Sequence, residues 1–375
     1  GKQDAASIEK VIPIALRTNL LFSGLFTILA GFCPEMLMRI FTNDAALVAS
    51  GSQYLRAVAL SYVLCGISQV YLILLKNTGH AAVSSRISST AVVLNIILNA
   101  ILIYGLCGAP ALGIRGAAYA TVAARVVELI WAYLETKKPE RVRILWNRLF
   151  SSAGKILSED FWRYTLPVLA ASLVWGIAYV LYSVIMGHMG SDAVAANSIT
   201  SIAKSLLSCL IRGVSGGAGV LIGNLLGANE LEKAREYGGR LSHLSIAIGI
   251  VTGGLLMLIS PAIVHFAPLS DTAAEYLQYM LLFCGLNLMA QSVNTTVLDG
   301  IFCAGGDAKF DMQGNIGAMW CFSVPLGFLA AFWLKLPVMV VYCIVNLDEI
   351  VKLPAVYHHY KKYIWVRNIT RDVED

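Results

Sequence analysis

Long uncharged stretches dominate the pattern of hydrophobic and polar positions in this sequence. Residues 87–114, 164–191 and 241–270 contain no Asp, Glu, Lys or Arg. A helix that crosses the hydrocarbon core of a bilayer needs about 20 residues, so each of these stretches is long enough to span it. Seven further stretches are shorter or interrupted by charges, and they raise the predicted number of transmembrane helices to ten. They are residues 18–34, 57–75, 116–134, 193–226, 276–298, 312–334 and 336–347, the last continuing weakly toward Tyr360.

Composition supports a membrane protein. Of the 375 residues, 57% are hydrophobic and 14% are charged, whereas about 25% of the residues in soluble domains are charged. This excludes a water-soluble enzyme of this length. An outer-membrane barrel would show segments of about ten residues with alternating hydrophobicity, and the apolar blocks here are continuous. The predicted fold class is therefore an all-α polytopic membrane protein.

The distribution of Lys and Arg predicts the orientation of the chain. When alternate loops are assigned to opposite sides of the membrane, 21 of the 28 basic residues lie on one side, with Lys352 counted in a C-terminal tail. Basic residues accumulate on the cytoplasmic side, so both ends of this chain are predicted to be cytoplasmic. The net charge of +5 is spread over short clusters, and no nucleic-acid partner is expected.

An internal repeat divides the sequence into two parallel halves. When the chain is shifted along itself, a single offset brings Pro34 onto Pro261 and Gly79 onto Gly306. The predicted domains are an N-lobe remnant with four helices (1–135), a cytoplasmic interlobe loop (136–159), a C-lobe with six helices (160–360) and a cytoplasmic tail (361–375). Two helices of the C-lobe have no counterpart ahead of Gly1. We therefore expect a twelve-helix parent protein with about 65 more N-terminal residues.

Several motifs resemble those of a known transporter family. Residues 187–199 (GHMGSDAVAANSI) and 223–234 (GNLLGANELEKA) resemble the first two helices of a lobe in multidrug and toxic compound extrusion (MATE) transporters. Residues 95–105 and 112–121 resemble that family's fifth and sixth helices. The family's Leu-Arg-Gly-x-Gly-Asp pattern survives only in part, as LKNTGH at 75–80 and FCAGGD at 302–307.

This resemblance implies two six-helix lobes that export organic cations or drugs in exchange for H⁺ or Na⁺. An acidic residue on the family's first helix takes part in coupling in many members. That helix would lie in the segment predicted to be missing.

Polar residues near 290 are the first candidates for the transport pathway. An ionisable residue at the centre of a transmembrane helix costs about 2.5–3.5 kcal/mol on insertion scales, which makes it a functional hypothesis. Asp299 either binds a proton or sodium ion within the membrane or reaches the cytoplasmic interface at a helix end. Asn287, Gln291 and Asn294 share one helix face, which either lines a central cavity or bonds to neighbouring helices. By contrast, Glu128, Asp348 and Glu349 are expected near membrane interfaces.

A second candidate group combines aromatic and basic side chains. Trp175, Tyr179 and Tyr182 form a stripe that would hold a lipophilic cation by cation–π contact, with packing or an interfacial belt as the alternative. Lys204 and Arg212 either pair with Asp299 or indicate an anionic cargo. Asn197, within the family-like motif, completes the predicted pathway.

The leading functional hypothesis is a secondary active exporter that works by alternating access. The expected partners are an amphipathic, cationic small molecule and the lipid bilayer, with the chain acting as a monomer in the cell membrane. No metal or other cofactor is expected, because the eight cysteines lie apart without a Cys-x-x-Cys pair. An enzyme is not expected either, because catalytic and phosphate-binding motifs are missing from the sequence. The alternative is a flippase for lipid-linked oligosaccharides from the same wider superfamily, in which Lys204 and Arg212 would meet the lipid pyrophosphate.

Overall fold

Two compact units make up the described part of the chain. The computed structural model describes residues 5–41, 45–138, 141 and 154–368. An N-terminal unit ends at residue 161 and a C-terminal unit begins at residue 162. All regular elements among the described residues are helices.

The N-terminal unit contains four long helices and one short one. Between the third and fourth of them, Gly79 adopts a φ of +85°, which a residue with a side chain rarely adopts. The helices are α1 (Ala5–Phe32), α2 (Pro34–Phe41), α3 (Ala45–Leu75), α4 (Ala81–Tyr104) and α5 (Ile114–Thr136).

The C-terminal unit is built from seven helices, the first of which begins just before the unit boundary. Its helices are α6 (Lys155–Gly187), α7 (Ser191–Gly227), α8 (Leu231–Phe266), α9 (Asp271–Phe302), α10 (Ala308–Trp333), α11 (Val338–Val345) and α12 (Asp348–Tyr360). The last turns of α9, Thr296–Phe302, are π-helical. At its other end, the hydroxyl of Ser270 caps α9 by accepting a hydrogen bond from the backbone N–H of Ala273 at 3.2 Å.

Helix lengths confirm the predicted fold class. Eight helical stretches among the described residues are long and apolar enough to cross a membrane, and one of them, Ala45–Tyr104, contains both α3 and α4. These stretches contain nine helices, and α11 and α12, counted together as the last one, bring the number to the ten predicted. The stretch 336–347 has only twelve residues, too few to span a bilayer alone, and its predicted continuation toward Tyr360 corresponds to α12, which ends at that residue. Lys352 was counted in the cytoplasmic tail, which is wrong, because it lies within α12 and is 5% exposed.

The internal repeat recurs in the helix boundaries. The starts of α3, α4 and α5 are followed, after almost the same separation along the chain in each case, by the starts of α9, α10 and α11. Gly306, the partner of Gly79 in the repeat, also has a positive φ, of 72°. From α3 in one unit and from α9 in the other, the helices therefore follow in the same order, with the turn in the same place.

Glycines allow close helix packing in the C-terminal unit. A Cβ atom on Gly253 of α8 would overlap the backbone carbonyl of Gly285 on α9. Small residues at such crossings let helix backbones approach closely where lipid provides no hydrophobic driving force. This contact fixes α9, which carries the polar residues described next.

Candidate functional site

The polar face of α9 lies inside the C-terminal unit. The exposed fractions of Asn287, Gln291 and Asn294 are 1%, 9% and 1%. Asp299 lies farther along the helix, in the π-helical turns, and its side chain is exposed. Single π-helical turns within α-helices often occur at functional sites. The four residues therefore run from the interior of the unit toward an open surface.

An aromatic cavity of about 350 Å³ lies beside this face. The three predicted rings of α6, Trp175, Tyr179 and Tyr182, all line it. The rings of Trp175 and Tyr179 are stacked, with centroids 5.4 Å apart. Polar groups complete the wall, among them Lys204, Ser205, Ser208, Arg212, Gln291 and Asp348. The structure thus brings the aromatic stripe and the two basic residues together.

An acidic cavity, also of about 350 Å³, adjoins the aromatic one. The two cavities share Trp175, Arg212, Gln291 and Glu349 as lining residues. The acidic cavity is further lined by Asn294, Asp299, Asp311, Asn315 and Lys352. Its wall therefore carries three carboxylates and two cationic side chains.

Arg212 lies in the wall of both cavities. Its guanidinium carbon is 5.8 Å from the centre of the Trp175 ring, which is within the range of a cation–π contact. The Arg212 side chain is exposed. An ion pair with Asp299 was one of the predicted alternatives, but within the described residues Arg212 has no carboxylate within 4.0 Å.

A buried ion-pair network forms one side of the acidic cavity. The Lys352 ammonium lies 3.3 Å from Glu349 Oε1 and 3.9 Å from Asp348 Oδ2. It also donates a hydrogen bond to Asn315 Oδ1 at 3.1 Å, and Asn294 Nδ2 donates to Glu349 Oε2 at 2.8 Å. Pairing and hydrogen bonding of this kind offset the free-energy cost of burying charged groups. This network therefore fixes α12 against α9 and α10.

Asp299 and Asp311 form no ion pair with this network, which reaches Asp311 only through Asn315. Within the described part of the chain, neither carboxylate has a Lys or Arg within 4.0 Å. Asp311 accepts one hydrogen bond, from Asn315 Nδ2 at 3.1 Å. The amide oxygens of Gln291 and Asn294 are buried and have no hydrogen-bond partner among the described residues. The acidic cavity thus collects carboxylate and amide oxygens that lack a full set of partners.

Lys204, Asn287 and Asn197 were also predicted to line the pathway, but they do not line the acidic cavity. Lys204 donates a hydrogen bond to Asn287 Oδ1 at 3.1 Å, and Asn287 in turn donates to the backbone carbonyl of Asn346. Asn287 therefore bonds neighbouring helices, whereas Lys204 also reaches the aromatic cavity. Asn197 is half-buried on α7 and lines neither cavity.

Asp311, Asn315 and Lys352 were not among the site residues predicted from the sequence, and Asp348 and Glu349 were expected at an interface. Instead, Asp348 is 5% and Glu349 8% exposed, and both line cavities. The sequence did contain a signal for these residues. The uncharged stretch 336–347 is too short to cross a bilayer, so a helix that spans it must also include the charged residues that follow.

Long apolar helices in two units with a shared order of helices are the features of a multi-pass membrane protein. The sequence matches the MatE family over residues 1–101 and 167–329, which is more than half of the chain. The chain therefore belongs to the MatE family.

Individual proteins similar to this chain support the family assignment, although their sequence identity is low. Two proteins of Bacillus subtilis are each 20% identical: the "Uncharacterized transporter YisQ", over 98% of this chain and 80% of the relative, and the "Probable multidrug resistance protein YoeA", over 100% and 81%. A solved MOP superfamily transporter from Pyrococcus furiosus has the same fold, with a TM-score of 0.85 at 19% identity over 97% of this chain and 80% of that one. That protein is described as having a binding pocket of reverse polarity that suggests a different function.

Proposed function

We propose that this chain is a secondary active multidrug exporter, which exchanges organic cations for H⁺ or Na⁺ by alternating access. The observation that carries the proposal is the side-by-side arrangement of the acidic and aromatic cavities in the C-terminal unit. A coupling ion would bind in the first and a lipophilic cation in the second. The shared wall, formed by Trp175, Arg212, Gln291 and Glu349, would let occupation of one cavity affect the other.

The acidic cavity suits a small cation. Carboxylate and amide oxygens are the ligands that hard cations prefer. Asp299, Asp311 and the amide oxygens of Gln291 and Asn294 supply such groups, and none of them is bound to a Lys or Arg among the described residues. Either carboxylate could also accept a proton, so the donor set leaves both coupling ions open. The buried pair of Lys352 and Glu349 would hold the wall of the cavity in place.

The aromatic cavity suits an amphipathic substrate. Stacked rings present flat, polarisable faces that attract organic cations, and apolar walls with a few polar groups are typical of small-molecule sites. The rings of Trp175 and Tyr179 already stack in this way. The name of one Bacillus subtilis relative, the "Probable multidrug resistance protein YoeA", supports drugs as the substrates.

Gradient-driven efflux from liposomes tests the proposal. The purified chain would be reconstituted with a panel of ethidium-like dyes, and Na⁺ and pH gradients would be applied separately. We expect Asp299→Asn to reduce ion-driven efflux by at least about tenfold, since the substitution removes the exposed carboxylate of the acidic cavity, while protein abundance stays normal. The matched control is Asp271→Asn, an exposed aspartate at the start of the same helix. Equal transport by both variants would remove Asp299 from the ion pathway.

A second candidate function is supported by the basic residues of the aromatic cavity. Lys204 and Arg212 both line it, and an anionic cargo such as the pyrophosphate of a lipid-linked oligosaccharide would be attracted to them. The discriminating experiment is expression in cells. Resistance to ethidium-like cations supports the exporter, whereas restored synthesis of an envelope polymer supports a flippase.

The placement of the chain in the cell membrane also belongs to the proposal. We infer a monomer with both described ends on the cytoplasmic side. Engineered cysteines near residues 145 and 265 should then react with membrane-impermeant reagents added from opposite sides. Reaction of both from the same side would contradict this topology.

A further inference from the structure

A third pocket lies about one helical turn from the residues of α6, α9 and α10 that line the acidic cavity. It has a volume of about 430 Å³. Its lining residues belong to the first turns of α6 within this unit, to the connection between α9 and α10, and to the segment after α12. The side chains of Arg163, Lys309 and Arg367 line it. We call it the basic pocket. By the distribution of Lys and Arg, it faces the cytoplasmic side.

The charge of the basic pocket is predominantly positive. Among the described residues that line it, three are cationic and one, Asp307, is acidic. Asp307 is already engaged, because its Oδ2 lies 2.7 Å from His359 Nε2. Arg163 and Lys309 are exposed, and among the described residues neither has a carboxylate within 4.0 Å. Two cationic groups of this pocket thus lack a counterion in the described part of the protein.

Arg367 is held in a fixed orientation at the edge of the pocket. Its Nε donates a hydrogen bond to the Gly305 carbonyl at 3.0 Å, and its Nη2 donates to the Gly306 carbonyl at 2.8 Å. A guanidinium has five N–H donors, so these two bonds leave three for a ligand. A guanidinium fixed in this way loses less entropy on binding than a free one.

The backbone adds donors at the same place. Helix α10 begins at Ala308, which lines the pocket, and the side chain of the preceding Asp307 does not cap the helix. The first N–H groups of a helix lack partners within it and carry partial positive charge. Tyr164 and Thr165, which carry hydroxyl groups, also line the pocket. Cationic side chains, helix N–H groups and hydroxyls together form the donor set that binds phosphate in proteins.

We propose that the basic pocket binds the phosphate group of an anionic ligand. Its size exceeds that of one phosphate, so the remainder of the ligand occupies space against Pro167, Val168 and Cys303. An anionic phospholipid headgroup in the cytoplasmic leaflet carries this chemistry, since basic pockets between transmembrane helices on that side bind such headgroups. A soluble phosphate carries it too, and the experiment distinguishes the two sources.

Binding to two probes tests the proposal. The full chain, purified in detergent and stripped of lipid, would be titrated with inorganic phosphate by calorimetry. It would also be incubated with phosphatidylglycerol or phosphatidylcholine and examined by native mass spectrometry. We expect the double substitution Arg163→Gln and Lys309→Gln to raise the Kd of the bound probe at least about tenfold, because charge-assisted hydrogen bonds are lost. Preference for phosphatidylglycerol alone would assign the site to a lipid headgroup, and binding of inorganic phosphate as well would assign it to a soluble ligand.

The matched control retains the pocket and removes the same charge. Lys233→Gln and Arg240→Gln alter two exposed cations of α8 that pair with neighbouring glutamates outside the pocket. This control should bind the probe like the wild type. If the double pocket variant fails to fold, Lys309→Gln alone takes its place, since Lys309 is exposed. Failure of the wild type to bind either probe, or equal loss in the control, would overturn the proposal.

Discussion

Each unit contains an ion pair with a buried carboxylate, and the two pairs occupy matching positions in the repeat. In the N-terminal unit, Arg125 Nη1 lies 2.7 Å from Glu128 Oε2, and the Ser68 hydroxyl donates to Glu128 Oε1. In the C-terminal unit, the pair is formed by Glu349 and Lys352. The separation between the two pairs along the chain equals the separation between the starts of α5 and α11. The order of the charges is reversed between the two.

A polar residue on the preceding long helix supports the carboxylate in both units. Ser68 of α3 bonds to Glu128, and Asn294 of α9, which occupies the matching position in the repeat, bonds to Glu349. The repeat therefore preserves the arrangement of a buried carboxylate, an i,i+3 cation and a hydrogen-bond donor from a neighbouring helix. Two features of this arrangement differ: the order of the acidic and basic residue along the helix, and the donor, which is a serine in one unit and an asparagine in the other.

The surroundings of the two pairs differ, and this difference indicates their roles. Glu128 is 1% exposed, and both of its oxygens have partners. The pair of the C-terminal unit instead borders the acidic cavity, where Asp299 and Asp311 have no cation within 4.0 Å among the described residues. We call Arg125 and Glu128 the closed pair, because both oxygens of Glu128 have partners. A closed pair stabilises helix packing, whereas a pair beside unpaired carboxylates also shapes a binding site. We therefore expect substitutions in the N-terminal unit to affect stability and those around the acidic cavity to affect transport as well.

Removal of Lys352 should have the largest effect on stability. Lys352→Met leaves two buried carboxylates, Asp348 and Glu349, without their cation, and loss of one partner of a buried pair lowers the free energy of unfolding by about 3–5 kcal/mol. Unfolding in detergent by a denaturant titration measures this loss. The control Lys233→Met removes an exposed cation from a surface pair and should change the free energy by less than about 0.5 kcal/mol. Equal effects would show that the network around Lys352 contributes little.

Removal of Arg125 should have a smaller effect of the same kind. Arg125→Met leaves one carboxylate, Glu128, which keeps its bond from Ser68, and the Arg125 side chain is already 30% exposed. We expect the free energy of unfolding to fall by about 2–3 kcal/mol. Ion-driven dye efflux per folded molecule should stay unchanged, which would separate the closed pair from the acidic cavity. A loss of efflux at normal abundance would contradict this separation. Arg240→Met, in an exposed pair, is the matched control.

The hydroxyl of Ser68 should contribute less again. Ser68→Ala removes one hydrogen bond to the Glu128 carboxylate while the ion pair with Arg125 remains. A buried hydrogen bond contributes about 1 kcal/mol, and somewhat more to a charged group, so the same denaturant titration should show a loss of about 1–2 kcal/mol. Ser198→Ala removes an exposed hydroxyl that bonds only to its own helix and should leave stability unchanged. A loss as large as that of Arg125→Met would mean that Ser68, and not the arginine, holds Glu128.

Hydrophobic pattern predicted the fold well, because bilayer thickness sets helix length directly. The ten helices follow from apolar stretches, and the repeat follows from a few prolines and glycines that match at one offset. The aromatic stripe was also predicted, since Trp175, Tyr179 and Tyr182 share a helix face, and all three line one cavity.

The polar network was predicted less completely, because its members come from different helices. Asp311 of α10 and Glu349 of α12 are distant in sequence, and only packing brings both to the acidic cavity. Asn287 shares a face with Gln291 and Asn294, yet it bonds to Lys204 and to the backbone of Asn346. Helical spacing identifies which residues point the same way, but the neighbouring helix at each level decides whether they meet a cavity or a partner.

Asp311 provides the finest test of the difference between the units. Its carboxylate lies in the wall of the acidic cavity with one hydrogen bond, from Asn315, and without an ion pair among the described residues. Asp311→Asn therefore removes an uncompensated charge, so the free energy of unfolding should stay the same or rise slightly, by less than about 1 kcal/mol. The same change takes one oxygen ligand and one negative charge from the cavity, and ion-driven efflux should fall several-fold. Stability and transport would then move in opposite directions at this residue, whereas at Arg125 only stability should change. A variant of Asp311 that loses stability and keeps efflux would place it with the closed pair of the N-terminal unit, and the acidic cavity would lose one of its two unpaired carboxylates.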